Sequence, residues 1–176
     1  MSAASSPYPS DWLGNWQWHD LKVGVLQAPA AQTGGNDGAV VLIHGFGACK
    51  EHWRHNVEVL RQQRPVYALD LIGFGQSDKP RSRYGIDLWS RQVADFVTTQ
   101  LTGDVQLVGN SIGGVVALAA ARQLERAGTP ARRVVLVDCA QRALDDKRLA
   151  EQPPLLRWGR PLLKTLVRQR WLTTSL

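Results

Sequence analysis

Val108-Gly109-Asn110-Ser111-Ile112-Gly113-Gly114 is the stretch that decides the fold. An apolar run, 105–108, leads into it, and a segment of small apolar residues, 112–127, leads out. A G-x-S-x-G pattern between a buried strand and a buried helix makes a sharp elbow. Side chains at Gly109 and Gly113 would collide across such a turn. The serine must then take a strained backbone conformation, and its hydroxyl stands proud of the sheet at a helix N-terminus. There the helix dipole and free N–H groups favour a developing negative charge. Taken alone, the pattern also suits a glycine-rich turn with an incidental serine; the flanking runs favour the elbow.

Outward from this point the chain alternates between two periodicities. Ala39-Val-Val-Leu-Ile43 and Arg133-Val-Val-Leu-Val137 are apolar runs of the kind buried on both faces of a parallel sheet. Residues 66–71 read as another strand. Helical spacing covers 50–63, with Trp53, Val57 and Leu60 on one side, and 87–101, with Trp89, Val93, Phe96 and Val97 on one face. The segment 112–127 is apolar nearly all round and suits a helix between layers. Residues 16–28 alternate as a hairpin, and 31–38 are rich in turn formers. Strands alternating with helices predict an α/β fold: a mostly parallel sheet with helices on both faces and right-handed crossovers. The strands 39–43, 66–71, 105–108 and 133–137 are expected to be adjacent.

Two further loops follow strands. His44-Gly45-Phe46-Gly47 comes after 39–43, and its glycines let the chain fold close over a substrate carbonyl. In this architecture the N–H of Phe46 pairs with that of Ile112 to hold an oxyanion. His44 reads as structural. Asp70-Leu-Ile-Gly-Phe-Gly-Gln-Ser-Asp78 reads as a structural loop beside the site. Gly45-x-Gly47 and Gly73-x-Gly75 both lack the third glycine of a dinucleotide fingerprint, and no P-loop pattern occurs. No nucleotide cofactor and no metal is expected.

HGFG, DLIGFGQSDKP and GNSIGG stand in the order and spacing of the α/β-hydrolase superfamily, and residues 16–140 resemble it. WQW, HWRHN, IDLW and GNSIGGVVALAAA are similar to the branch containing pheophytinase and chlorophyll dephytylase of oxygenic phototrophs. That resemblance implies hydrolysis of a lipophilic ester, such as the phytyl ester of a chlorophyll-type pigment. A serine at the elbow separates the chain from haloalkane dehalogenases and soluble epoxide hydrolases, which resemble it elsewhere but carry an aspartate there. The resemblance also implies a triad in the order serine, acid, histidine. His19, His44, His52 and His55 all precede Ser111, and the family's HWRHN histidines are not catalytic. Asp138 ends the last strand, where a few relatives place their acid. The catalytic histidine is thus absent, and the chain is expected to be C-terminally truncated and nearly inert alone.

The remaining features bound the partners. Basic and acidic residues number 13 and 12 over 1–139 but 8 and 3 over 140–176, so +5 of the net charge of +6 lies in the tail. No nucleic-acid-binding motif accompanies it. Cys49 and Cys139 lack a CxxC partner and read as reduced thiols of a cytoplasmic protein. The division expected is a flexible lead over 1–15, the core over 16–140 and a partial helical cap over 141–176. From Pro153 the tail pairs an apolar stripe (Leu155, Trp158, Leu162, Leu166) with a basic one (Arg157, Arg160, Lys164, Arg168). Such a helix either covers a core or docks at the surface of an anionic membrane. The leading functional expectation is an ester hydrolase working through an acyl-enzyme. A non-catalytic binding protein, or acyl-transfer or haloperoxidase chemistry on the same scaffold, are the alternatives.

Overall fold

A computed structural model describes residues 6–32 and 38–140. Six strands form one sheet in the order β1-β2-β4-β3-β5-β6. They are β1 (Leu13–Trp18), β2 (Leu21–Ala28), β3 (Ala39–Ile43), β4 (Val66–Leu69), β5 (Val105–Asn110) and β6 (Arg133–Val137). The β1–β2 hairpin and the β2–β4 pair are antiparallel, and the other pairs are parallel. The helices are α1 (Arg54–Leu60), α2 (Ile86–Gln100) and α3 (Ile112–Arg126). The fold is that of an α/β hydrolase, and the four strands expected to be adjacent lie side by side.

Strand β3 shows why the sheet is covered on both sides. All five of its residues are buried. Val41 and Ile43 pack with Val93, Phe96 and Val97 of α2 and Val116 and Ala120 of α3. Val40 and Leu42 point the other way, onto Trp53 and Val57. Each Val, Leu or Ile so buried stabilises the fold by roughly 1.5–3 kcal/mol. A strand buried on both faces has no polar position to alternate with, hence the unbroken apolar run.

The register lines up the strand ends. Ile43 pairs with both Leu69 and Gly109, and Asn110 pairs with Val137. His44, Asp70, Ser111 and Asp138 therefore all leave the sheet at one edge. Moving from β3, the chain goes first to β4 on one side and later to β5 on the other. The crevice between β3 and β5 is thus a topological switch point, where open α/β sheets bind ligands at the carboxyl ends of their strands.

Four expectations need correction. The lead does not run to residue 15: Tyr8 and Trp12 are buried, Ser10–Trp12 form a 3-10 turn, and β1 begins at Leu13. Two aromatic rings bury enough apolar area to anchor a short segment, and the Arg61 guanidinium lies 4.6 Å from the Trp12 ring centre. The helix over 50–63 is a 3-10 turn, Lys50–Trp53, followed by the short α1. The α-helix ends at Leu60, and 61–63 form a turn before Pro65. Strand β4 stops at Leu69 instead of 71, since Asp70 and Leu71 turn out to bind other loops. Finally, β6 is not buried: Val135, Leu136 and Val137 are all exposed, because among the described residues β6 pairs only with β5.

The chain divides between Ala140 and Gln141. The cap expected over 141–176, with its apolar and basic stripes, lies outside the described residues. Among those described, no helix is long and apolar enough to cross a membrane.

Candidate active site

Strand β5 ends at Asn110 and α3 begins at Ile112, which leaves Ser111 alone in the bend. Its backbone sits at φ +53° and ψ −120°, a sparsely populated region that costs a non-glycine residue about 1–3 kcal/mol. Three hydrogen bonds hold it there. Ser111 N–H donates to Val137 O at 2.9 Å, and its carbonyl accepts from Gly114 N–H (3.0 Å) and Ala140 N–H (3.2 Å). A Cβ on Gly109 would overlap the Gly113 carbonyl, and one on Gly113 would overlap the carbonyls of Ile43 and His44. The glycine spacing is therefore a consequence of strand and helix backbones in contact. Among the described residues no hydrogen bond joins the Ser111 hydroxyl to a histidine.

The strap 44–50 crosses this elbow. A Cβ on Gly45 would lie 3.3 Å from Ser111 Cβ and 3.2 Å from Asn110 Oδ1. Gly47 takes φ +72° with open space around it. Phe46, between them, is 60% exposed, and its N–H donates to no group among the described residues. Ile112 opens α3, and N–H groups of a first turn have no acceptor within their own helix. Ile112 therefore follows Ser111 directly at the start of α3, and Phe46 follows the Gly45 that approaches it.

Beside the strap runs a ladder of rings. Phe46 meets Phe74 edge-on at 5.4 Å between ring centres, Phe74 meets His44 edge-on at 5.5 Å, and Phe74 leans on Trp89 at 5.8 Å. Trp89 Nε1 donates to Ile72 O at 2.9 Å, which fixes the inner end of the ladder. Its outer end, Phe46, faces solvent next to the Gly45 that approaches the serine.

His44 is buried with both ring nitrogens engaged. Nε2 accepts from Leu71 N–H at 3.0 Å, so Nδ1 carries the proton and donates it to Gly45 O at 2.7 Å. Burial pushes its pKa below the ordinary histidine value. A neutral ring with no free nitrogen cannot take a proton from Ser111. His19, His52 and His55 are exposed. Asp138 is exposed at φ +46°, one residue past Val137, and no hydrogen bond ties it to a histidine among the described residues.

Sequence reasoning missed one group altogether. Asp70 is fully buried, and its carboxylate accepts from Lys50 N–H (2.7 Å), Lys50 Nζ (2.9 Å) and Gln76 N–H (2.9 Å). Lys50 is fully buried too and reaches Glu51 Oε1 at 3.0 Å. No motif marks Lys50; the available signal was that a buried carboxylate requires a cation. Next to it, burial and the Glu51 carboxylate push the Cys49 thiol up to about 12, so this thiol stays protonated and unreactive near neutrality.

The family model described as the alpha/beta hydrolase family matches residues 40–175. The chain belongs to that family. A 2-hydroxy-6-oxo-6-(2'-aminophenyl)hexa-2,4-dienoic acid hydrolase of Metapseudomonas resinovorans is 40% identical over 83 residues, 45% of this chain and 29% of that protein. A 2-hydroxy-6-oxo-2,4-heptadienoate hydrolase of Pseudomonas putida is 37% identical over 84 residues, 46% of this chain and 30% of that protein. Among solved structures, a membrane phospholipase A described as a bacterial virulence factor superimposes with a TM-score of 0.65 at 30% identity, covering 73% of this chain and 39% of that one. This alpha/beta hydrolase chain therefore spans less than half the length of these relatives.

Proposed function

We propose that Ser111 is the nucleophile of a serine hydrolase acting on lipophilic esters. The observation that carries this reading is the strained backbone of Ser111 beneath the Gly45–Phe46 strap. The fold holds a serine in a costly conformation at the start of a helix and brings the Gly45 strap within contact distance of it. Structural turns do not require that combination.

In this mechanism Ser111 Oγ attacks the ester carbonyl while its proton passes to a base. The Phe46 and Ile112 N–H groups hold the oxygen that becomes negative. Collapse expels the alcohol, leaving an acyl group on Ser111 that water removes in a second step. The exposed Phe46 and the rings behind it favour an apolar substrate. The phytyl esters implied by the HWRHN and GNSIGG motifs are one such class. No histidine follows Ser111 in the 176 residues, so the base that the family order implies is not among them. Oxyanion donors and binding alone still leave about 10³–10⁴-fold acceleration over water when a triad member is missing.

The test is intact-mass analysis after incubation with p-nitrophenyl esters of increasing acyl length. The expected result is slow gain of one acyl group, mapped to Ser111, faster for longer chains and lost in Ser111→Ala. Continuous turnover that survives Ser111→Ala, or no acyl gain on Ser111, overturns the proposal.

A further inference from the structure

The strap that carries Phe46 is anchored at two points. At its start, His44 Nε2 accepts from Leu71 N–H. At its end, Lys50 is bound to Asp70 twice, through its backbone N–H at 2.7 Å and its ammonium at 2.9 Å. Between the anchors one backbone hydrogen bond, Ala48 N–H to Gly45 O at 3.2 Å, spans the turn. Phe46 and Gly47 at its crown are exposed. The two anchor residues, Asp70 and Leu71, are neighbours in sequence and follow β4 directly.

A fully buried lysine is rare unless paired. Burial pushes the Lys50 ammonium toward its neutral form, but the Asp70 and Glu51 carboxylates outweigh this and hold its pKa above the ordinary lysine value. Asp70 also accepts Gln76 N–H, and its backbone carbonyl accepts from Ser77 Oγ at 2.6 Å and Gln92 Nε2 at 3.0 Å. The carboxylate therefore joins the strap to the loop 70–78, and that loop is tied to α2 through Gln92. An apolar pair of similar volume would satisfy packing at lower desolvation cost. The charged pair adds direction: it fixes where the strap ends.

We infer that Lys50 is a positioning residue. By locking onto Asp70 it fixes the strap and sets the place of the Phe46 N–H beside Ser111. This rests on the reading of Ser111 as nucleophile, with Phe46 as oxyanion donor.

The experiment uses the 176-residue chain with a fluorophosphonate, whose phosphoryl oxygen occupies the oxyanion position when Ser111 reacts. Wild type, Lys50→Met, Lys50→Arg and Ser111→Ala are compared for the labelling rate constant and for the fraction of protein labelled. Amide hydrogen exchange is recorded over 44–50, β5 and α3. Lys50→Met is expected to lower the rate constant about tenfold or more, since small displacements of a positioned group carry large rate costs. Exchange should rise over 44–50 and not in β5 or α3, and Lys50→Arg should recover most of both. A role confined to stability would instead reduce the labelled fraction and leave the rate constant unchanged. That result, or exchange rising equally in β5 and α3, overturns the inference. Should Lys50→Met fail to fold, Lys50→Gln combined with Asp70→Asn leaves no buried charge and serves for the same comparison. If wild type and Ser111→Ala label alike, the hydrolase reading falls, and the exchange data alone decide whether Lys50 orders the strap.

Discussion

The backbone N–H of Ser111 donates to the carbonyl of Val137 at 2.9 Å, so the last residue of β6 holds the elbow at the end of β5. The strained serine is braced from one side by β6 and approached from the other by the Gly45 strap. The site is built from backbone contacts between three chain segments.

The close approach at the elbow gives the first prediction. Gly113→Ala places a methyl group against the Ile43 and His44 carbonyls and should destabilise the chain by about 1–3 kcal/mol or more. Gly14→Ala meets no atom within 4 Å and should stay within about 0.5 kcal/mol. Urea unfolding of both variants checks the contrast. Equal effects would show that the contact at Gly113 does not constrain the turn.

The buried imidazole gives a pH dependence. The folded-state pKa of His44 is lowered, so the folded protein holds the ring neutral while the unfolded chain protonates it below about 6.5. The unfolded state then binds more protons, and stability falls with decreasing pH at up to about 1.4 kcal/mol per unit. The stabilisation is complete above about pH 6.5 and shrinks as pH falls toward the folded pKa. Glu51, whose folded pKa is also lowered, adds its own loss only below about pH 4.3. Thermal melts between pH 8 and 5 should show the histidine effect, and His44→Gln should flatten that slope. A wild-type slope matching the variant's would contradict it.

The adjacency of four strands was legible because the apolar runs were unambiguous, while their order was not. AVVLI at 39–43 and the serine elbow at 111 place β3 and β5 together, and the glycine spacing already demanded the backbone contacts at Gly109 and Gly113. Other features depend on contacts distant in sequence. Tyr8 and Trp12 fall in the segment read as a flexible lead because nothing local says what they pack on. Lys50 looked like an ordinary first-turn residue, since its partner Asp70 is 20 residues away. The exposure of β6 was hidden because RVVLV reads as buried wherever neighbours cover it. In the site, local motifs marked Ser111, Phe46 and His44, while the pair that anchors the strap left no mark.

That exposed strand carries a third prediction. Val135, Leu136 and Val137 are 37–43% exposed on a strand that is an edge of the sheet among the described residues. Unpaired apolar edges recruit other strands. The 176-residue chain should self-associate in light scattering at micromolar concentration, and Val135→Lys with Val137→Lys should reduce this. A monodisperse monomer that melts cooperatively would contradict it.

The basic tail carries a fourth. Arg157, Arg160, Lys164 and Arg168 are proposed to hold the protein reversibly on anionic bilayers, each contributing on the order of 1 kcal/mol near the surface. Co-sedimentation with vesicles should require anionic lipid and fail when all four are replaced by glutamine. Binding that ignores lipid charge would remove the membrane from the account.

The most direct measurement of the central claim is the fluorophosphonate reaction of the folded chain against the same chain in denaturant, with the adduct mapped by peptide mass spectrometry. The account predicts one adduct, on Ser111, forming faster when folded because the elbow and its N–H groups exist only then. Labelling no faster in the folded state, or an adduct on another residue, would contradict it.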